Sequence, residues 1–117
     1  MLKTFDLAGR VLREGGETVL GLDDLGTHAC YLLYGVLTPG EAPRTLRPGP
    51  GHEEIFVVIS GAVRLEGEGL AEPLTVQAGQ AFHLKGEETL QAIAAGPLEA
   101  RYVAAGGHTP GAEHHHH

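Results

Sequence analysis

Glycine and proline interrupt this chain at short intervals, and their spacing constrains the fold more than any other feature. The 117 residues include 18 glycines and 7 prolines, and the segments between them are rich in Val, Leu, Ile, Thr, Tyr and Phe. No segment shows a sustained apolar period of about 3.6 residues, the spacing typical of an amphipathic helix. The pattern therefore predicts an all-β sandwich or small barrel with little helix.

Alternation of apolar and polar residues places the strands. The predicted strands are 4–7, 17–22, 28–37, 53–59, 62–67, 74–76, 81–84, 89–94 and 99–104. The apolar positions within them that we assign to the core are Phe56, Val58, Val63, Leu65, Val76 and Phe82. These strands are short enough to form two packed sheets around one core.

The segments between the strands carry turn residues. Ser60-Gly61 separates two alternating runs and predicts a hairpin turn, because glycine supplies the positive φ that such a turn requires. Residues 38–40, 67–69 and 78–80 are predicted turns for the same reason. Residues 41–51 contain three prolines and two glycines, which predicts a loop.

Length and composition predict a single domain. A chain of 117 residues with 42% hydrophobic content can bury one core but leaves apolar surface near water. We expect residues 1–107 to form the domain and residues 108–117 to form a flexible tail that ends in an expression-tag remnant. Association of two copies would cover the remaining apolar surface, so we expect a homodimer.

Charge and hydropathy narrow the partners and the location. The net charge is -7, and the eight Lys and Arg residues are scattered, which is unlike a nucleic-acid-binding surface. No apolar run reaches the roughly 20 residues of a membrane-spanning helix, and no signal segment is evident. We therefore expect a cytoplasmic protein without a nucleic-acid or membrane partner. The single cysteine, Cys30, lies in an apolar run where a buried, inert thiol is expected.

The run HEEIFVVISG at residues 52–61 places polar side chains at the start of an apolar strand. Because strand side chains alternate, His52, Glu54 and Phe56 should share one face and line the barrel. An ionised carboxylate there needs a metal, a cationic partner or protonation. His52 could be that partner, and so could an arginine at position 47, 64 or 101; a solvated Glu54 at the barrel mouth is the alternative.

The spacing of these residues resembles the first motif of the cupin family, whose second half corresponds to residues 54–61. Residues 37–40 resemble the strand and turn ahead of that motif, and residues 79–89 resemble the glycine, strand and turn of the second motif. The resemblance covers residues 37–93. It implies a double-stranded β-helix, a small jelly-roll barrel of the cupin type.

The resemblance also implies where a metal would be held, and here the sequence departs from it. Cupins use two histidines shortly before the glutamate and a last histidine after the second motif, and only Glu54 carries over from this set. The corresponding positions are Leu46 and Pro48, or Arg47 and Gly49, and then Thr89 or Leu90. We therefore expect no cofactor. The alternative is a divalent metal on the substitute ligands His52, Glu54 and His83.

The predicted ligand-binding residues are His52, Glu54, Phe56 and Gln91. Gln91 lies close to the place where the last histidine of a cupin would project, and its amide could bond a ligand or simply face solvent. His83 is flanked by Phe82 and Leu84, which should take the inner face and turn His83 outward. No arrangement of side chains identifies catalytic residues.

These features lead to three functional hypotheses. The first is a cupin-fold protein that binds a small polar or anionic molecule, or another partner, in its barrel without the usual histidine ligands. The second is a divalent-metal-dependent enzyme of the isomerase or dioxygenase class with a remodelled site. Two protein ligands would give a labile site, whereas catalytic metal sites usually hold three. The third is a purely structural subunit.

Overall fold

The computed structural model describes residues 2–109 and has two antiparallel sheets. The elements are α1 (Leu7–Arg13), β1 (Glu17–Leu20), α2 (Leu22–Leu25), β2 (Tyr31–Leu37), β3 (Arg44–Leu46), β4 (His52–Ser60), β5 (Ala62–Glu66), β6 (Leu74–Gln77), β7 (Ala81–Lys85), β8 (Leu90–Ala94) and β9 (Ala100–His108). The five-stranded sheet has the order β1-β2-β9-β4-β7, and the four-stranded sheet has the order β3-β8-β5-β6. The predicted all-β class is confirmed.

The core lies between the two sheets and takes side chains from both. Its buried members are Leu37, Leu46, Phe56, Val58, Val63, Leu65, Val76, Leu84, Leu90, Ala92, Ala100, Tyr102 and Ala104. Five of the six predicted core residues are among them, and the sixth, Phe82, is partly buried against this cluster. The aromatic rings of Phe56 and Phe82 stack with centroids 4.8 Å apart.

The predicted strand at residues 4–7 is wrong, because the chain begins helix α1 at this point. Asp6 caps the helix, accepting a hydrogen bond from the Gly9 backbone nitrogen at 3.1 Å. Val11 is the one buried residue of the helix. A helix of seven residues is too short to show a repeated apolar period, which explains why the sequence pattern missed it. Likewise, the predicted strand at residues 17–22 ends at Leu20 and gives way to α2.

The predicted hairpin at Ser60-Gly61 is also wrong. Strand β4 belongs to the five-stranded sheet and β5 to the four-stranded sheet, so the turn carries the chain from one sheet to the other. Gly61 does adopt the expected positive φ, 69°. A Cβ atom at this position would collide with the carbonyl oxygen of Glu99, so the corner requires glycine.

Two further expectations need correction. The predicted loop at residues 41–51 contains strand β3, which pairs with β8. Cys30 is exposed rather than buried, because β2 begins one residue later. The turns at 38–40 and 78–80 form as expected, with positive φ at Gly40 and Gly79.

Strand β9 continues to His108, one residue beyond the predicted end of the domain at 107. The assignment of a single domain stays a prediction. Residues 110–117 of the predicted flexible tail lie outside the described residues. Between residues 2 and 109, no helix has the length and apolar character needed to cross a membrane.

Candidate functional site

A buried carboxylate lies at one end of the five-stranded sheet. Tyr31, Gly106, Glu54 and Leu84 are cross-strand neighbours on β2, β9, β4 and β7, and they share the inner face. Glu54 is only 5% exposed. The Tyr31 hydroxyl donates a hydrogen bond of 2.6 Å to Oε2 of Glu54. A buried carboxylate is thus matched with a strong donor, as burial of a polar group requires.

Gly106 makes this pairing sterically possible. A Cβ atom at Gly106 would collide with the Tyr31 ring, so the ring occupies the space above this glycine and reaches Glu54 one strand further on. Burial raises the pKa of the Tyr31 hydroxyl, and the hydrogen bond to Glu54 raises it further. Tyr31 therefore stays protonated and remains a donor.

Tyr31 is the partner of the buried Glu54 carboxylate, a role that the sequence assigned to His52 or to an arginine. The three candidate arginines form ion pairs elsewhere: Arg47 with Glu87, Arg64 with Glu66 and Arg101 with Glu99. His52 is half-buried, and its Nδ1 lies 3.0 Å from the carbonyl oxygen of Pro50. Its ring meets Tyr31 edge-on at 5.9 Å and lies 5.0 Å from the ring of His108. His52 therefore adjoins the buried pair by packing.

A second tyrosine also reaches across a glycine on the neighbouring strand to a glutamate on the strand beyond it, here toward β1. Tyr102 on β9 covers Gly35 on β2 and donates a hydrogen bond of 2.5 Å to Glu17 on β1. Burial raises the pKa of Tyr102, and the negative charge of Glu17 raises it further. Nη1 of Arg44 donates to the Tyr102 hydroxyl at 3.2 Å and to the carbonyl oxygen of Gly16 at 3.0 Å. This network ties the four-stranded sheet to the edge of the five-stranded sheet.

A cavity of about 770 Å³ opens between the sheets, beside β6 and β7. Its walls are mainly apolar and comprise Leu65, Leu70, Leu74, Phe82, Leu84 and Leu90. The loop after β5 contributes Glu68 to the cavity, and the turn after β7 contributes Glu87 and Glu88. Leu84 connects the two features, because it lines the cavity and is the cross-strand neighbour of Glu54.

The structure brings three of the predicted site residues onto one face. His52, Glu54 and Phe56 alternate with outward residues along β4, as expected. Gln91 borders the cavity, but its Oε1 accepts a hydrogen bond of 3.1 Å from Thr45, so the structure does not bring it to the other three. His83 is the cross-strand neighbour of the outward Ile55, as expected, and its Nε2 lies 2.9 Å from Oε1 of Glu53. It also borders the cavity.

The residues do not fit a metal site of the cupin type. His83 lies on the opposite face of the sheet from Glu54, since its cross-strand neighbour is Ile55. Within residues 2–109, no three His, Cys, Asp or Glu side chains converge in a metal-binding group. No catalytic step can be assigned to His52, Glu54 and His83 as a set of metal ligands.

Sequence reasoning missed Tyr31 and Gly106. Glycine inside a strand often marks a close approach of another group, and Gly106 carried that signal. The partner above it could not be identified, because β2 and β9 are separated by more than sixty residues and their register is set by the folded sheet.

No family model and no curated protein matches the chain, but solved structures do. One is the Cupin_2 domain of an XRE family transcriptional regulator from Enterobacter cloacae, with 23% identity, a TM-score of 0.62 and coverage of 81% of this chain and 98% of that one. Another is an uncharacterized conserved protein with a double-stranded β-helix domain from Klebsiella pneumoniae, with 19% identity, a TM-score of 0.68 and coverage of 94% and 93%.

A third structure of the same architecture is an oxalate oxidase, with 21% identity and a TM-score of 0.62. The match covers 80% of this chain and 51% of that one. At these identities the likeness shows the fold alone. The predicted double-stranded β-helix of the cupin type is confirmed.

Proposed function

We propose that this chain, whose fold is the cupin double-stranded β-helix, is a small-molecule-binding protein whose ligand occupies the cavity between the sheets. The cavity of about 770 Å³ is the observation that supports this proposal. Ligand pockets are typically about 300–1,000 Å³, with mainly apolar walls and a few polar groups. Both properties apply here.

The predicted ligand-binding residues contribute to this proposal in different ways. Gln91 borders the cavity directly, and Phe56 supports it by stacking on Phe82, which forms part of the wall. Glu54 and His52 lie on the inner face beside Leu84 and fix that end of the sheet. The proposed contacts to the ligand are therefore made by Gln91, Phe82 and Leu84 and by the glutamates of the cavity.

A screen of a small-molecule library by ligand-observed NMR tests this function. Leu74 lines the cavity and is 48% exposed, so Leu74→Trp should fill the cavity without disturbing the core. Thr75→Trp is the matched control, because Thr75 is exposed and pairs with the outward Arg64. Compounds that bind the wild type should bind Thr75→Trp and lose binding to Leu74→Trp. Equal binding to all three proteins would overturn the proposal.

The rival function is a divalent-metal-dependent enzyme of the isomerase or dioxygenase class. It is favoured by one observation, the shared architecture with an oxalate oxidase. The separation of His83 from Glu54 argues against it, because the two cannot bind one ion from opposite faces of the sheet. The binding protein is therefore the preferred proposal.

The proposal includes a homodimer in the cytoplasm. The outer surface of the five-stranded sheet carries an apolar patch, formed by Leu32, Ile55, Val57, Val103 and Ala105. Ile55, on β4, is 49% exposed. A second copy would cover this patch, since contiguous exposed apolar surface is typical of interaction sites. The free thiol of Cys30 is exposed, which suits a reducing compartment.

A further inference from the structure

We infer that the ligand of this cavity is a cationic amphiphile, a small molecule that joins an ammonium group to an apolar body. The inference rests on the proposed function and names the ligand class for the same cavity. It follows from how charge and apolar surface are distributed among the residues that line the cavity.

The charged groups at the cavity are almost all negative. Glu68, Glu87 and Glu88 line it, and no Lys or Arg does. His83 is the one other lining residue that can carry charge, and its Nε2 lies 2.9 Å from the Glu53 carboxylate. Arg47 forms an ion pair with Glu87, which offsets one of the three charges. In the described part of the chain, neither Glu68 nor Glu88 forms an ion pair with a basic side chain. Two carboxylates thus remain to attract a cation and repel an anion.

The two carboxylates come from different segments that flank the same opening. Glu68 lies in the loop between β5 and β6, and Glu88 lies in the turn between β7 and β8. Oε1 of Glu88 accepts a hydrogen bond of 2.6 Å from the Lys85 backbone nitrogen, which holds this side chain in place. Both side chains are exposed, so a cation at the opening would meet negative charge from two separate segments.

The remainder of the cavity suits an apolar body. Leu65, Leu70 and Leu90 belong to its walls, and Phe82 adds an aromatic ring. One face of the Phe82 ring stacks in parallel on Phe56, at an interplanar angle of 3°, so the ring is fixed in orientation. Aromatic rings attract ammonium groups through their π-electrons. Apolar walls behind an acidic opening match a molecule with a charged head and an apolar tail.

Isothermal titration calorimetry with three probes tests the inference: n-octyltrimethylammonium, n-octanol and n-octanoate. Each probe has a chain of eight carbons, counting the carboxyl carbon of octanoate, and the three differ in charge. We expect the ammonium probe to bind more tightly than octanoate by about tenfold or more, which corresponds to about 1.4 kcal/mol. The preference should narrow in about 1 M salt, where charges are screened within roughly 3 Å.

Three variants locate the source of the preference. Glu68→Gln and Glu88→Gln should each weaken binding of the ammonium probe and leave octanol binding unchanged. Glutamine keeps a carbonyl acceptor for the Lys85 nitrogen, so the second variant removes mainly charge. Glu66→Gln is the control, because Glu66 pairs with the outward Arg64 and does not line the cavity.

The outcomes separate this inference from the proposed function. If octanol and octanoate bind as tightly as the ammonium probe, and Leu74→Trp abolishes all binding, the cavity is a ligand site and the cationic class is wrong. An equal effect of Glu66→Gln and Glu68→Gln would also overturn the class, because it would indicate a diffuse charge effect. If no probe binds, the inference is wrong, and the library screen decides the proposed function independently.

Discussion

Tyr31 donates a hydrogen bond of 2.6 Å to Glu54 although an entire strand separates the two residues. The phenol crosses β9 above Gly106 and satisfies a carboxylate that is almost fully buried. The polar groups at this end of the barrel are therefore stabilised by a side-chain contact between strands that share no backbone hydrogen bonds.

Tyr31→Phe should destabilise the protein by about 1–3 kcal/mol, because it leaves the buried carboxylate of Glu54 without its donor. Urea unfolding monitored by circular dichroism measures this change. Tyr34→Phe is the control, since the Tyr34 hydroxyl is on the outer face and accepts its hydrogen bond from Arg101. Equal losses in both variants would contradict a special role for the Tyr31–Glu54 contact.

Gly106→Ala should cost about 1–3 kcal/mol, because the added methyl group would displace the Tyr31 ring. The neighbouring Gly107→Ala should cost much less. A Cβ atom at Gly107 has only one neighbour within 4 Å, the carbonyl oxygen of Ala29 at 3.6 Å. Thermal unfolding of the two variants gives the comparison, and a similar melting temperature for both would refute the steric account.

Stability at alkaline pH should depend on Tyr31 and Tyr102. Burial raises both pKa values above the ordinary 10.0, so the stability they contribute is complete below pH 10 and is lost as the pH rises through the folded-state values. Ultraviolet titration should show these two phenols ionising only when the protein unfolds. Tyr31→Phe should flatten the fall in unfolding free energy above pH 10, and an unchanged slope would argue against the assignment.

Transition metals should not stabilise the protein strongly. Elemental analysis and thermal unfolding with added zinc, nickel or manganese test this on protein ending at Gly111, because the terminal histidines would otherwise bind metal. A metal that binds only the folded state must raise its stability in proportion to saturation. A large rise in melting temperature for the wild type, absent in Glu54→Gln, would restore the metalloenzyme hypothesis.

Light scattering on protein that ends at Gly111 should give a mass twice that of one chain. Ile55→Lys places a charge within the outer apolar patch and should shift the mass toward the monomer. Leu98→Lys is the control, because Leu98 is 72% exposed in a loop away from that patch. A monomer mass for the wild type at high concentration would rule out the dimer.

The sequence predicted the barrel well because its signals are local. The alternation in residues 52–60 correctly placed Glu54 and Phe56 inside and Ile55 outside. The partner of Glu54 and the change of sheet at Gly61 depend on pairing between distant strands, which no local pattern records. The cavity is missed for the same reason, since its walls come from both sheets.

The cavity opens where β6 and β7 face each other as the terminal strands of different sheets. The turn that joins them is anchored by two backbone hydrogen bonds, in which the Gly79 nitrogen donates to the Val58 carbonyl and the Val58 nitrogen donates to the Gln80 carbonyl. These bonds close one end of this seam. Toward Leu74 and Leu84, no backbone hydrogen bond joins β6 to β7 among the described residues, and only side chains lie between the two strands. Under the proposed function, a ligand would enter and leave by rotamer exchange, a motion of picoseconds to nanoseconds for exposed side chains, while both hydrogen-bonded ladders stay intact.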